Sequence, residues 1–199
     1  MVLDTAVNAI SEKFNFYHTG IFILDDEKQW AILRSAYSEG GQRMLARKHR
    51  LRVGETGVVG YAAGMQEVRI ARDVGEDAAY FDNPDLPETR SEVALPLQTQ
   101  KRVIGVLDVQ SKRADAFGEE DVLVLRTLAD QIALVISNAQ LLQEVEERME
   151  AERRAYGEIR RAGWHDLIRH EQGLGFVRDH LSLDAVAGAV DAHALRVLR

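Results

Sequence analysis

The side chains best suited to chemistry are gathered between Arg72 and Glu92. This polar stretch holds Asp73, Tyr80, Phe81, Asn83, Thr89, Arg90 and Glu92, together with two of the chain's three prolines, Pro84 and Pro87. Apolar walls with a few convergent polar groups are what small-ligand pockets are made of, and a long loop inside a compact domain is usually functional. The stretch is therefore expected to bind a small molecule, with Tyr37 and Tyr61 as further lining residues. The other reading of the same residues is that they only anchor the loop. Asp82, Asp85 and Glu88 have no spacing that makes them an acid/base pair, and no base lies beside a nucleophile, so an enzyme is not expected.

Other constellations point to less. His165 and His170 are five residues apart and do not share a helix face, and the chain has no cysteine, so a metal site is not expected. Disulfides and thiol chemistry are excluded on the same ground. Gly54, Gly57, Gly60 and Gly64 lack the Gly-Lys-Ser/Thr of a phosphate loop, and read as tight packing. Arg43, Arg47, Lys48, Arg50 and Arg52 form a basic run that can serve as a solvated face or receive an anionic ligand or partner. It has no interleaved aromatic residues, and the net charge is −7, so nucleic acid is not an expected partner.

These residues need a scaffold, and 199 residues of which 46% are apolar allow one ordinary domain with an appendage. Residues 2–14 carry one apolar stripe at helical spacing. Residues 16–24 and 30–37 read as a hairpin around a polar turn, 42–52 as a short helix leading into a short strand, and 54–64 as a compact glycine-rich helix. A short strand follows at 67–71. Residues 91–97 and 102–110 read as strands covered on both faces, because they are nearly all apolar in places. A long helix opens near Phe117, with acids in its first turn that favour the helix dipole.

Along that helix Leu125, Leu128, Ile132, Val135, Ala139 and Leu142 recur at alternating steps of three and four, the seam of a coiled coil. It is expected to pair two copies of the chain. Residues 143–162 continue as a charged helix, either solvated or a linker carrying a signal. The tail, 163–199, is too short for its own core, and 181–198 reads as an alanine-rich helix. No uninterrupted apolar run approaches 18 residues, so no membrane span is expected, and the N-terminus lacks the pattern of a signal peptide. A cytoplasmic protein is expected.

In this order of elements, Gly54-Glu55-Thr56-Gly57-Val58-Val59-Gly60 resembles the glycine segment of GAF domains. Arg72-Asp73-Val74 resembles the strand end that follows it. Arg90-Ser91-Glu92-Val93-Ala94-Leu95-Pro96-Leu97 resembles the family's Ser-x-x-x-x-Pro-Leu strand, and Val103-Ile104-Gly105-Val106-Leu107-Asp108-Val109 its Ile-Gly-Val-Leu strand. Phe117, Asp121, Leu128, Ala129, Gln131, Ile132, Ala133, Ile136, Asn138 and Ala139 match its exit helix. The resemblance covers residues 1–142. It implies an α+β fold, an antiparallel sheet of about six strands with helices packed on it. It also implies a ligand pocket roofed by the glycine-segment helix and the long loop.

The resemblance further implies a sensory or regulatory module that passes its signal through dimeric exit helices to a downstream signalling protein or domain. The Asn-Lys pair of the cyclic-nucleotide type does not occur, since Asn83 precedes Pro84. Covalent bilin attachment and free methionine sulfoxide reduction both need cysteines. No cofactor is named by these residues. A pocketless dimerisation scaffold and a cysteine-free enzyme on the same fold stand as alternatives.

Overall fold

A computed structural model describes residues 2–77, 82–99, 102–170, 174–179 and 182–187, with side chains through residue 158. The chain divides into two compact units, Met1–Leu141 and Leu142–Arg199.

The first unit is built on six antiparallel strands. β1 (His18–Leu24) and β2 (Trp30–Ala36) form the expected hairpin, β3 (Arg50–Arg52) and β4 (Arg69–Ala71) are short, and β5 (Ser91–Gln98) and β6 (Val103–Ser111) are long. The spatial order is β3-β2-β1-β6-β5-β4, so the apolar pair β5 and β6 sits inside the sheet. All nine residues of β6 are buried, the signature of a strand covered on both faces. This is the α+β architecture expected from the sequence.

One face of the sheet carries α1 (Val2–Phe14) and the start of α4 (Glu119–His170). Val7 and Ile10 of α1 meet Ile21, Leu95, Leu107 and Val109 of the sheet, and Leu125, Ala129, Ala133 and Ile136 of α4 close the same core. The opposite face carries α2 (Glu39–Ala46) and α3 (Gly57–Met65), with Met44, Val58, Val59 and Ala62 packed on Phe22, Leu33, Ala94 and Val106. α2 begins at Glu39, three residues before the expected start, because Ser38 caps it: its Oγ accepts from the Gly41 N–H at 3.0 Å. α3 lies directly on backbone. A Cβ on Gly60 would run into the Arg52 carbonyl oxygen, and one on Gly64 would come within 2.7 Å of Gly54 Cα, which is why this helix is rich in glycine.

Three expectations are corrected. Tyr37 is half-buried against the α1–α4 core, on the side of the sheet away from α3. The charged helix does not end at residue 162, because α4 continues to His170. Within 181–198, residues Ser182–Ala187 are a strand, β8, paired antiparallel with β7 (Leu174–Asp179). The alternation Ser182, Leu183, Asp184, Ala185 suits a strand, and residues 188–199 lie outside the described ones.

α4 contains an 18-residue window of mean hydropathy 1.4, long and apolar enough to cross a membrane by length and composition alone. Its Leu125–Ala129–Ala133–Ile136 stripe is committed to the domain's own core.

Candidate functional site

Side chains alternate faces along a strand, and the register of three central strands builds one polar floor. Gln110 of β6 lies between His18 of β1 and Glu92 of β5, and Asp108 lies between Gly20 and Ala94. His18, Asp108, Gln110 and Glu92 therefore share the sheet face covered by α2 and α3. All four are buried.

The group is knitted together. Thr89 Oγ1 donates to Gln110 Oε1 at 2.6 Å, and Gln110 Nε2 donates to Asp108 Oδ2 at 2.8 Å. Glu92 and Asp108 are hydrogen-bonded to each other. Burial first, and then the Asp108 charge, push the Glu92 carboxyl well above its ordinary range. Burial also raises Asp108, to about 7, against the lowering effect of its bonds from Gln110 and Glu92. Two carboxyls in one dry site do not both ionise.

His18 completes the floor. Its Nδ1 is 2.9 Å from Ser38 Oγ, and its Nε2 faces Asp108 Oδ2 at 4.0 Å. Burial drives its pKa down to about 3, so the ring is neutral. His18 Nε2 and Asp108 Oδ1 are both buried without a hydrogen-bond partner. Such atoms are costly unless something satisfies them.

Above this floor is a cavity of about 20 Å³, room for about one water. Phe22, Met44, Leu51, Val58 and Val59 make its apolar walls, and Asn83, Glu92, Asp108, Gln110 and His49 its polar ones. The lid is α3 and, from the 72–90 loop, Asn83. That loop is pinned by Asp85, which holds Arg43 Nε at 3.0 Å and Arg47 Nη2 at 2.7 Å, and by Asn83, whose Nδ2 donates to Met44 Sδ. At its start Arg69 holds both oxygens of Asp77 at 3.0 and 2.7 Å.

Of the residues expected to bind ligand, Asn83 and Glu92 line the cavity, and Thr89 stands behind it through Gln110. Asp73 and Arg90 are paired with each other at the surface, 2.8 Å apart, so neither points into the cavity. Tyr61 is exposed on α3, with the Arg69 guanidinium 5.3 Å over its ring, and Tyr37 is on the other face. Tyr80 and Phe81 lie outside the described residues. The basic run splits: Arg43 and Arg47 anchor the loop, whereas Arg50 and Arg52 lie over the Trp30 ring, 4.1 and 5.4 Å from its centre. His18, Asp108 and Gln110 were missed. The available signal was a polar residue at alternate positions of a strand that is otherwise apolar (Asp108, Gln110).

The expected seam on α4 also divides. Leu125 is buried in the domain core, Leu128 and Ile132 are half-buried at its margin, and Val135, Ala139 and Leu142 are exposed. Leu125 therefore does not belong to a surface seam.

The model of the GAF domain family matches residues 2–137, and the chain belongs to that family. GAF domain-containing protein A of Dictyostelium discoideum is 33% identical over 119 residues, which span 60% of this chain and 69% of that protein. Among solved structures, the type II free methionine-R-sulfoxide reductase of Thermoplasma acidophilum superposes with a TM-score of 0.59 at 23% identity, covering 69% of this chain and 91% of that one. The free methionine-R-sulfoxide reductase of Neisseria meningitidis, solved in complex with its substrate, does so with a TM-score of 0.54 at 25% identity, covering 64% and 71%. These neighbours are enzymes. The expectation that the chain is not an enzyme is overturned by them, because the fold carries catalysis as well as regulation.

Proposed function

We propose that this GAF domain is a regulatory, cytoplasmic module that binds a small molecule carrying an ammonium group, beneath α3 and the 72–90 loop. The observation that carries this reading is the buried floor: two neighbouring carboxyls that burial holds toward their neutral forms, with Asp108 Oδ1 left without a partner. An ammonium group supplies donors to Asp108, favours its ionised form and removes the cost of its bare oxygen. Metal is less well supported, since no group of three or more His, Cys, Asp or Glu suited to a metal ion occurs among the described residues. At about 20 Å³ the cavity must open to admit such a ligand. The Asp85–Arg43–Arg47 cluster is the contact that would yield, being largely at the surface.

Binding has a regulatory effect only if it favours one of two arrangements of the protein. In this reading the output runs through α4, paired with a second copy along Leu128, Ile132, Val135, Ala139 and Leu142, toward a downstream signalling partner. The exposed apolar side chains Val135, Leu142 and Met149 support that pairing.

The test is a thermal-shift titration with small amines, amino acids and their deaminated analogues. A ligand that binds only the native state raises Tm. An amine is expected to raise Tm where its deaminated analogue does not, and Asp108→Asn is expected to abolish the effect. A shift of equal size in Asp108→Asn, or shifts only from the deaminated compounds, would overturn the reading.

A further inference from the structure

A second, larger cavity lies away from the carboxyl floor, at the junction of the α1 C-terminus with the connection from β6 to α4. Its volume is about 550 Å³, within the range of small-molecule sites. We propose that this cleft is a separate binding site for a small aromatic anion, an aryl carboxylate or aryl phosphate.

Three of its eight lining residues are aromatic, Phe14, Phe16 and Tyr17. Phe14 stacks on Phe16, with ring centres 5.8 Å apart and planes 15° from parallel, and Phe16 meets Phe117 at 5.4 Å. The row runs outward from Phe117, which is buried, to Phe14, whose surface is 42% exposed. Its outer end offers a ring face for a planar ligand to cover. The partner wall is Tyr17, with Lys112 Nζ 4.7 Å from its ring centre.

The charges in the cleft are cationic. Lys112 and Arg113 line it, and no carboxylate does. Arg113 is exposed, and its guanidinium has no ion-pair or hydrogen-bond partner among the described residues. A guanidinium forks onto carboxylate or phosphate with two parallel bonds. Lys112 is occupied, since Glu88 accepts from its Nζ at 2.8 and 2.9 Å. Glu88 is thus an internal competitor for the ligand's anionic group.

That competition gives the test a gain as well as a loss. Backbone amide shifts are followed by NMR during titration with 4-hydroxybenzoate, phenyl phosphate and benzyl alcohol. The two anions are expected to shift residues 14–17 and 111–116, and the tighter of them identifies the class, while benzyl alcohol leaves these residues unmoved. Arg113→Gln is expected to weaken the anion about tenfold, the loss of one charge-assisted pair. Glu88→Gln is expected to tighten it about threefold by freeing Lys112. Both positions are exposed, so both variants are expected to fold, as the spread of their amide spectra will show. Binding of benzyl alcohol as tight as that of the anions would overturn the proposal. So would shifts centred on Glu92 and Asp108, or an Arg113→Gln dissociation constant equal to that of the parent.

Discussion

His18 Nε2 stands 4.0 Å from Asp108 Oδ2, and neither side chain reaches solvent. The two groups titrate in opposite senses. His18 is held neutral by burial, with its pKa lowered to about 3. Between that value and the ordinary histidine value near 6.5 the unfolded chain binds more protons, so this contribution to stability is lost as pH falls. Asp108 is raised to about 7 and Glu92 is raised too. Their folded forms bind more protons above pH 4, so their contribution is lost as pH rises toward 7.

Removing one member should expose the other's slope. In His18→Gln, the stability at pH 5 relative to pH 7 should rise compared with the parent, by up to about 1.4 kcal/mol per pH unit. In Asp108→Asn the change should have the opposite sign. Urea unfolding at pH 5, 6, 7 and 8 reads both. Parallel pH profiles for the two variants would refute the opposite shifts of His18 and Asp108.

The packing behind this pair leaves no room. A Cβ on Gly41 would fall 2.7 Å from the Ala36 methyl and 2.8 Å from His18 Cε1. Gly41→Ala should therefore cost about 1–3 kcal/mol by overpacking, although alanine is the better helix former. Chemical denaturation measures it. A stabilised Gly41→Ala would mean that the ring moves freely.

The lid should be separable from the fold. Asp85 is the carboxylate that joins the 72–90 loop to α2, through Arg43 and Arg47. These arginines are about half exposed, so Asp85→Asn should lower global stability by only about 1 kcal/mol. Amide exchange in the described part of the loop should quicken while exchange in β6 stays slow. Uniform acceleration in both would show that Asp85 supports the whole domain rather than its lid.

How much of this was readable in the sequence depends on what each residue's neighbours reveal. The sheet and both helix layers were legible because Val103–Leu107 is apolar on both faces and residues 2–14 are apolar on one. The site was legible in part. Glu92 and Asn83 were found through the polar loop, but the same richness in polar residues drew in Asp73 and Arg90, which satisfy each other at the surface. Tyr37 shares the parity of Ala31 and Leu33, which face α2 and α3, and only a register irregularity opposite Ile21 and Phe22 turns Ser35 toward Asp4 of α1, so counting by twos could not have removed it. His18 was the hardest, because only the pairing of β1 with β6 brings it beside Gln110. In α4, a stripe facing the core and one facing a partner share the same three-four spacing. Periodicity alone therefore could not tell Leu125 from Val135.

That ambiguity yields the last prediction. Leu125 is 1% exposed inside the domain core, while Val135 is 43% and Leu142 65% exposed on the outer side of the same helix. Leu125→Glu would bury an unpaired carboxylate and should prevent folding, with a cost of several kcal/mol. Val135→Glu and Leu142→Glu introduce the same charge where water already reaches, so the melting temperature of the domain should move little. If α4 pairs two copies, each of these changes places like charges across the seam and removes apolar contact. Sedimentation at micromolar concentration should then show the parent as a dimer and both variants as folded monomers. A monomeric parent would leave the exposed apolar face of α4 without the partner proposed for it, and a dimeric Val135→Glu, Leu142→Glu double variant would move the interface to another surface.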